Sequence, residues 1–346
     1  VSSTHLDWTM VPYVRKSFYK HYVDGLRYVE AKDEQYIQQY VYDIINDPEC
    51  FTEEQSIDSS WWKENNKAYT YALDMTKKEV YQAAEGMYHN LNTLQSRSGN
   101  QLPFTSINYG TCTEPEGRIV TKAILDVSIK GIGKLHKTSI FPCGIFQCMK
   151  GVNRKPGDPN YDLFQLALKS TAKRLYPNYA NVDWSGNDGY DVNDPKTYFS
   201  TMGCRTANGW DINGMGQTKD GRGNICPVTI ILPTLAMEAI DSIWNKLPEE
   251  SKNSIIVSKY DWCKNEIVVE EFMRILDKKI HEAKDMLLER FEWICSQSPD
   301  SAKFMYENGV MEGYIPEEGI RSALKHGTLA VGQLGLAEAL QILIGR

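Results

Sequence analysis

The segment Thr-Met-Gly-Cys-Arg-Thr at 201–206 holds the residue best suited to radical or nucleophilic chemistry. Cys204 follows Gly203, which lets the backbone turn where a side chain would clash. Pro195 and Gly209 flank the segment and indicate irregular structure. The pattern predicts a loop that holds one sulfur at its tip. On these residues alone, a buried and inert thiol is the commoner explanation.

Five further stretches of sequence accompany this loop in a fixed order. They are Leu-Pro-Phe-Thr-Ser-Ile-Asn-Tyr-Gly-Thr at 102–111, Gly-Ile-Gly-Lys-Leu-His-Lys-Thr-Ser-Ile-Phe-Pro at 131–142, Gly-Asp-Pro-Asn-Tyr-Asp at 157–162, Arg-Leu-Tyr-Pro-Asn at 174–178 and Gly-Arg-Gly-Asn at 221–224. Together with the loop they resemble the catalytic barrel of the class III anaerobic ribonucleoside-triphosphate reductases, which are glycyl radical enzymes. The resemblance covers nearly the whole chain.

The resemblance implies roles for three residues. Cys204 would carry a thiyl radical, formed when a glycyl radical abstracts the thiol hydrogen, and would remove the 3′ hydrogen of the substrate ribose so that the 2′ hydroxyl leaves as water. Asn224 matches an active-site asparagine whose amide can donate to and accept from ribose hydroxyls. Met202 matches the methionine beside the radical cysteine in the formate-using branch. An ordinary turn asparagine and a gap-filling core methionine remain open alternatives.

Two other features are candidates on weaker grounds. Cys226 lies two residues beyond Asn224, so an extended segment would turn both side chains to the same side and bring a second sulfur near the site. Gly332, Gln333 and Gly335 follow a predicted strand and open the last helix, where free backbone N–H groups suit a triphosphate. The alternative for Cys226 is a buried, inert thiol, and the alternative for the glycine-rich junction is a turn that serves only packing. No cysteine or histidine spacing predicts a metal site within the chain.

Composition is that of an ordinary globular protein. The 346 residues are 42% hydrophobic and 24% charged, and α/β barrels of this size are commonly one domain. A net charge of −7 offers no basic face for nucleic acid. No apolar run approaches the ~20 residues that cross a bilayer, and the first residues lack the pattern of a signal peptide. We expect a cytoplasmic protein without membrane or nucleic-acid partners, and its scattered cysteines to be reduced.

The chain alternates predicted strands and helices, which favours an α/β fold with parallel strands. The periodicity predicts helices over residues 8–46, 73–94, 115–128, 161–175, 268–295 and 335–343, and another that begins at residue 235. It predicts strands over residues 102–112, 138–147, 228–232, 304–306 and 329–331, a loop over 176–194 and a surface excursion over 213–223.

The resemblance implies a ten-stranded α/β barrel around a central finger loop, with residues 1–346 as a single, incomplete catalytic domain. We expect the family's N-terminal ATP cone, its first strand with a partner cysteine, its four-cysteine zinc site and its Arg-Val-x-Gly-Tyr radical loop to lie outside this sequence. The chain would then be an internal segment of a larger reductase or a split-gene product active only with partner chains.

The resemblance also implies the substrate and the partners. A ribonucleoside triphosphate would become a deoxyribonucleotide, with formate as reductant, ATP and deoxynucleoside triphosphates as effectors, and a separate iron–sulfur, S-adenosylmethionine-dependent activase. Helices of the N-terminal half would form a homodimer interface. A non-catalytic nucleotide-binding remnant is the alternative. Another glycyl radical enzyme, such as a lyase, is disfavoured by Gly-Arg-Gly-Asn and Arg-Leu-Tyr-Pro.

The sequence predicts that this chain by itself forms no glycyl radical, because it lacks an Arg-Val-x-Gly-Tyr loop. Anaerobic treatment with the activase and S-adenosylmethionine should give no glycyl doublet in electron paramagnetic resonance. A doublet that arises from the 346-residue chain alone would contradict this expectation.

Overall fold

The computed structural model describes residues 2–46, 56–93, 104–184, 189–203, 206–208, 224–308, 311, 313–325 and 327–345. The chain divides into two compact units, Val1–Gly223 and Asn224–Arg346, and each is described by itself. Cys204 and the predicted excursion over 213–223 lie outside the described residues.

The first unit is built on a parallel sheet. Its strands, in spatial and sequence order, are β1 (Ser2–Ser3), β2 (Ser106–Tyr109), β3 (Cys143–Cys148) and β4 (Asn178–Asn181). β2 and β3 confirm two predicted strands, although both are shorter than expected, and Phe141-Pro142 precedes β3 as a cis peptide. β1 was not predicted. β4 falls within a segment predicted as a loop, and that part of the prediction is wrong.

Helices connect these strands. They are α1 (Leu6–Thr9), α2 (Val11–Tyr28), α3 (Glu34–Asn46), α4 (Asn66–Thr93), α5 (Pro115–Lys130) and α6 (Tyr161–Arg174), with 3-10 turns at Ser60–Asn65 and Pro195–Thr197. The predicted helix over 8–46 is therefore interrupted, because the chain turns at Ala31, whose φ is 52°. β5 (Ser200–Met202) and β6 (Thr206–Asn208) form an antiparallel hairpin.

The two faces of this sheet differ in chemistry. Ile107, Tyr109 and Phe146 belong to the apolar core that packs against α5 and α6. The alternate residues Ser106 and Asn108, and Gln147 on β3, point away from that core and are nonetheless completely buried. Helices therefore cover one face, and the opposite face carries buried polar side chains.

The second unit contains a parallel pair of strands, β7 (Asn224–Ile231) and β8 (Thr328–Leu334). Its helices are α7 (Leu232–Lys246), α8 (Glu249–Asn253), α9 (Lys259–Trp262), α10 (Glu266–Cys295), α11 (Lys303–Glu307), α12 (Ile320–Leu324) and α13 (Leu336–Ile344), with 3-10 turns at Pro299–Ala302 and Pro316–Glu318. The predicted strands over 228–232 and 329–331 and the three predicted helices are confirmed. Residues 304–306 are helical, so the strand predicted there is wrong.

This sheet is also covered on one face. Ile230 packs in a core formed with α7, α10 and α13, which includes Ile240, Phe272 and Leu343. The neighbouring residue Ile231 is 51% exposed, and Leu334, its partner in register on β8, is 59% exposed. The helices thus leave the second face of this unit's sheet open.

The α/β class with parallel strands is confirmed. Within the described ranges the strands form one four-stranded sheet, one hairpin and one two-stranded sheet, and a ten-stranded barrel is not confirmed. None of the helices in those ranges combines the length and the apolar character needed to span a membrane.

Two helical glycines give a matched test of the packing around α5. A Cβ at Gly117 would overlap the Sγ atom of Cys112 and lie 3.1 Å from the Asp7 carbonyl oxygen, whereas a Cβ at Gly86 on α4 would meet nothing within 4 Å. We expect Gly117→Ala to lower the free energy of unfolding by about 1–3 kcal/mol through overpacking. Gly86→Ala should raise it by about 0.5–1 kcal/mol. Urea denaturation measures both, and equal effects would contradict the packing described.

Candidate active site

The β5–β6 hairpin presents the segment that contains the candidate radical cysteine. Met202 pairs with Thr206, so residues 203–205 connect the two strands and Cys204 is the middle residue of that connection. Gly203 has a φ of +65°, in the left-handed region that glycine adopts without steric cost. A Cβ there would also stand 3.2 Å from the Phe104 ring. The positive φ favours glycine at this position, and a Cβ would in addition displace the Phe104 ring by a few tenths of an ångström.

Asn108 holds the backbone of Thr201 on both sides. Its Oδ1 accepts from the Thr201 N–H at 2.9 Å, and its Nδ2 donates to the Thr201 carbonyl at 2.8 Å. The second Nδ2 hydrogen goes to the Ser3 carbonyl on β1 at 2.9 Å. One fully buried side chain thus ties the hairpin to two strands of the sheet.

Two serines complete this contact. The Gly203 N–H donates to Ser106 Oγ at 3.0 Å, Ser106 Oγ donates to Ser2 Oγ at 3.1 Å, and Ser2 Oγ donates to the Thr201 carbonyl at 3.1 Å. Each hydroxyl therefore has both a donor and an acceptor partner. Ser2, Ser106, Asn108 and Gln147 are called the polar row below.

Gln147 extends the polar row to β3. Its Nε2 donates to the Phe199 carbonyl, immediately before β5, at 2.8 Å. Its Oε1 is buried and has no hydrogen-bond partner among the described residues. A buried acceptor without a partner is costly, so this atom is available to a donor from outside the described ranges.

A second polar cluster fixes the loop after β2. Asp7 Oδ2 accepts from the N–H groups of Gly110 at 2.8 Å and Cys112 at 2.9 Å. Asn153 donates to the Gly110 carbonyl at 2.9 Å, and Asn160 donates to the Cys112 carbonyl at 2.8 Å. All three polar side chains are completely buried.

This cluster joins two of the stretches on which the family resemblance depends. Asn160 and Asp162 belong to Gly-Asp-Pro-Asn-Tyr-Asp, and both accept from the Arg118 guanidinium, at 2.7 and 2.8 Å. Asn160 in turn contacts the loop that contains Gly110 and Thr111, at the end of the first stretch. The carboxyl end of a parallel strand is the usual place for ligands in α/β folds, and here it is built from these residues.

Burial dominates the ionisation of this cluster. Desolvation raises the pKa of Asp7 above 3.8, although the N–H groups of Cys112 and Gly110 act in the opposite direction. Desolvation likewise raises the pKa of the Cys112 thiol, with the Asp7 charge as a smaller contribution. Cys112 is therefore a poor thiolate and suits a structural role.

The predicted site residues lie in different parts of the chain. Met202 is buried on β5, one residue after Thr201. Asn224 begins β7 in the second unit and is exposed. Cys204 lies outside the described residues, so the predicted proximity of Cys204 and Asn224 stays a prediction.

Of the two alternatives for Cys226, the structure supports the buried thiol, and the expectation that Cys226 faces the same side as Asn224 is wrong. A β-bulge between Asn224 and Cys226 breaks the alternation of side chains on β7. Cys226 is consequently buried, with Sγ 4.0 Å from the Leu287 carbonyl of α10, whereas Asn224 is exposed. The sulfur and the amide do not share a side, and the inert-thiol alternative accounts for Cys226.

The glycine-rich junction of β8 and α13 has a packing explanation. Gly335 caps α13 with a φ of +79°, and a Cβ there would come within 2.6 Å of Pro233 Cδ. Gly332 and Gln333 lie on β8, and Gln333 is exposed. A role for these residues in binding a triphosphate stays a prediction.

Sequence reasoning missed Asp7, Asn153, Asn160 and the polar row. A signal was present in the strand itself, because Ser106 and Asn108 alternate with apolar residues in a strand expected to be buried. In the ranges that the structure covers, no group of three or more histidine, cysteine or acidic side chains is arranged to hold a metal ion.

The fold and the site define an α/β protein of parallel strands, with a β-hairpin bonded to the polar face of one sheet. A family model described as anaerobic ribonucleoside-triphosphate reductase matches residues 1–346, and the chain belongs to that family.

Curated relatives carry the same description. The anaerobic ribonucleoside-triphosphate reductases of Haemophilus influenzae and Escherichia coli K12 are each 30% identical over 279 residues, which cover 80% of this chain and 35% of theirs. That of Enterobacteria phage T4 is 31% identical over 283 residues, covering 81% of this chain and 42% of its own. The chain thus spans less than half the length of these relatives.

The Asp7 cluster predicts an unusual pH dependence. Burial raises the pKa of the Asp7 carboxyl in the folded protein, so the native state binds this proton more tightly than the unfolded chain does. Folding therefore takes up protons above pH 3.8. The free energy of unfolding, measured relative to Asp7→Asn, should therefore be greatest below pH 3.8 and fall as pH rises. Guanidinium denaturation at a series of pH values measures the difference.

Asp7→Ala supplies the contrast, because it leaves the Gly110 and Cys112 N–H groups without an acceptor. Relative to Asp7→Asn, whose oxygen can still accept both bonds, Asp7→Ala should lower the free energy of unfolding by about 1–3 kcal/mol for each N–H group at every pH. If the free energy of unfolding of the wild type, relative to that of Asp7→Asn, increased with rising pH, the raised pKa of Asp7 would be contradicted.

Proposed function

We propose that this chain supplies the catalytic segment of an anaerobic ribonucleotide reductase, which converts ribonucleoside triphosphates to 2′-deoxyribonucleoside triphosphates. The observation that carries the proposal is the β5–β6 hairpin, whose base is fixed to the polar row while its three-residue connection has Cys204 at the centre. Membership of the family supports the same reaction.

Each candidate residue has one task in the proposed reaction. The Cys204 sulfur exchanges a hydrogen atom with the ribose 3′ carbon, and the Asn224 amide bonds the ribose hydroxyls. Met202 lies beside the reacting sulfur, and Gly332, Gln333 and Gly335 bind the triphosphate. A glycyl radical supplied from outside this chain provides the unpaired electron. Formate and one proton provide two electrons and two hydrogens: one hydrogen takes the place of the 2′ hydroxyl, the other leaves with that hydroxyl as water, and formate becomes carbon dioxide.

We further propose that both sheets belong to one ten-stranded barrel with a central finger loop, formed by residues 1–346 as a single catalytic domain. Helices outside a closed barrel cover only the outer face of each strand. The one-sided coverage found separately in each unit supports this arrangement. The polar row would then face the interior, where exclusion of water protects a radical.

The N-terminal helices are proposed to form the homodimer interface and the effector site for ATP and deoxynucleoside triphosphates. An open groove of about 1020 Å³ lies among α2, α3, α4 and α5 and supports this proposal. Its lining is mainly apolar, as a dimer interface requires. Its charged residues are mixed in sign, because Lys20 pairs with Glu79 and Arg27 pairs with Asp24 and Glu34, while Lys16 also lines the groove. The activase, with its iron–sulfur cluster and S-adenosylmethionine, remains a proposed partner, and the zinc site a proposed feature of regions outside this sequence. We also propose a cytoplasmic location for this chain.

Replacement of Cys204 tests the reaction. With formate, the activase and the radical-bearing region supplied under anaerobic conditions, Cys204→Ser should abolish deoxyribonucleotide formation. Only hydrogen-atom transfer is removed, so nucleotide binding measured by calorimetry should persist. Cys295→Ser is the matched control, because Cys295 is a half-buried thiol at the end of α10 and should retain full turnover.

The outcomes separate the two candidate functions. Turnover by Cys204→Ser at the unmodified rate would exclude thiyl chemistry at this position. Nucleotide binding without turnover by the unmodified protein would favour the non-catalytic remnant.

A further inference from the structure

We propose that Asn108 and Ser106 are positioning residues, which set the place of the reacting sulfur by fixing the backbone that leads into Cys204. The inference rests on the proposed function. Neither side chain is assigned a contact with substrate. Each acts through the main chain at positions 201 and 203.

The contacts fix the chain at two points on either side of Met202. Asn108 satisfies both the N–H and the carbonyl of Thr201, as a neighbouring strand would. Ser106 accepts from the N–H of Gly203, and Ser2 links Ser106 back to the Thr201 carbonyl. Translation and rotation of the hairpin base both require breaking several of these bonds together.

Burial makes these bonds difficult to exchange with water. Ser2, Ser106 and Asn108 each have 0% exposure. A buried N–H or carbonyl that loses its partner retains the full desolvation cost, so alternative positions of the base are disfavoured. If this face only needed filling, apolar side chains could do so without buried polar groups. The polar row instead matches the backbone groups of 201 and 203.

Few torsions separate the fixed point from the sulfur. Consecutive Cα atoms are about 3.8 Å apart, so Cys204 begins one peptide beyond the residue whose N–H is held by Ser106. Hydrogen-atom transfer needs near-contact geometry, and a misplacement of about 1 Å can cost about 10²-fold in rate. The expected consequence is control of kcat rather than of nucleotide affinity.

The first test uses the 346-residue chain and needs no turnover. Under anaerobic conditions, iodoacetamide labelling of Cys204 is followed by peptide mass spectrometry, with Cys295 in the same sample as the internal reference. Ser106→Ala should raise the Cys204 to Cys295 rate ratio by about tenfold, the factor expected when one hydrogen bond of ordinary strength to the hairpin backbone is lost. Asn108→Leu removes both bonds to Thr201 and should raise the ratio further.

Ser170→Ala is the matched control. Ser170 on α6 is also completely buried, and its Oγ bonds Ser128 Oγ at 3.0 Å and the Tyr176 carbonyl at 2.8 Å, on the helix-covered side of the sheet. It should leave the ratio within about twofold, because it shares no hydrogen-bond partner with the hairpin or with Cys295. Ratios for Ser106→Ala and Asn108→Leu no larger than that of Ser170→Ala would overturn the proposal. If Asn108→Leu does not fold, Ser106→Ala alone decides.

The second test measures kinetics with the radical-bearing region and the activase supplied. Ser106→Ala should lower kcat by about 10-fold to 100-fold while KM stays within about twofold, at an unchanged glycyl radical signal. A loss confined to radical yield or to KM would overturn the positioning role. If the unmodified protein makes no deoxyribonucleotide, the proposed function fails, and the labelling ratio still decides whether Asn108 and Ser106 fix the hairpin base.

Discussion

The position of the β5–β6 hairpin depends on two hydrogen bonds between the Asn108 side chain and the Thr201 backbone. They join the hairpin to strand β2, and the two bonded residues are separated by 93 positions in the sequence. Since both atoms of the amide are used and the side chain is buried, the contact specifies register and distance together. The serines and Gln147 extend the same constraint along the hairpin to Phe199 and Gly203.

This constraint depends on the helical side of the sheet. Phe146 and Tyr109 pack edge to face at 6.0 Å, and α5 and α6 close over them. Apolar packing keeps β2 and β3 rigid, so the side chains that alternate with the core residues can act as fixed donors and acceptors. A rigid sheet supporting a precisely bonded loop is the arrangement that positions reactive groups best.

The cluster of Asp7, Asn153 and Asn160 fixes the backbone at the end of β2, as the polar row fixes the backbone of the hairpin. Asp7, Asn153 and Asn160 satisfy four backbone groups of Gly110 and Cys112, and Arg118 holds Asn160 in turn. Residues from α1, α5 and the loop before α6 therefore meet at one loop. These contacts give residues 102–111 and 157–162, two of the stretches that mark the family, a structural role in fixing this loop.

Local pattern determined the elements with strong periodicity. α5, α6, α10, α13, β2, β3, β7 and β8 were predictable because their apolar residues repeat with the period of the element. The family was also readable from short stretches, including the Cys204 loop.

Tertiary structure decided the rest. β4 is polar in sequence and is a strand because it pairs with β3, and residues 304–306 form a helical turn although Phe304 and Tyr306 suit a strand. The bulge beside Asn224 turned Cys226 into the core, and the partners of Asn108 and Asp7 could not be predicted, because a side chain's type shows that it needs hydrogen bonds but only the folded chain decides with which atoms they form.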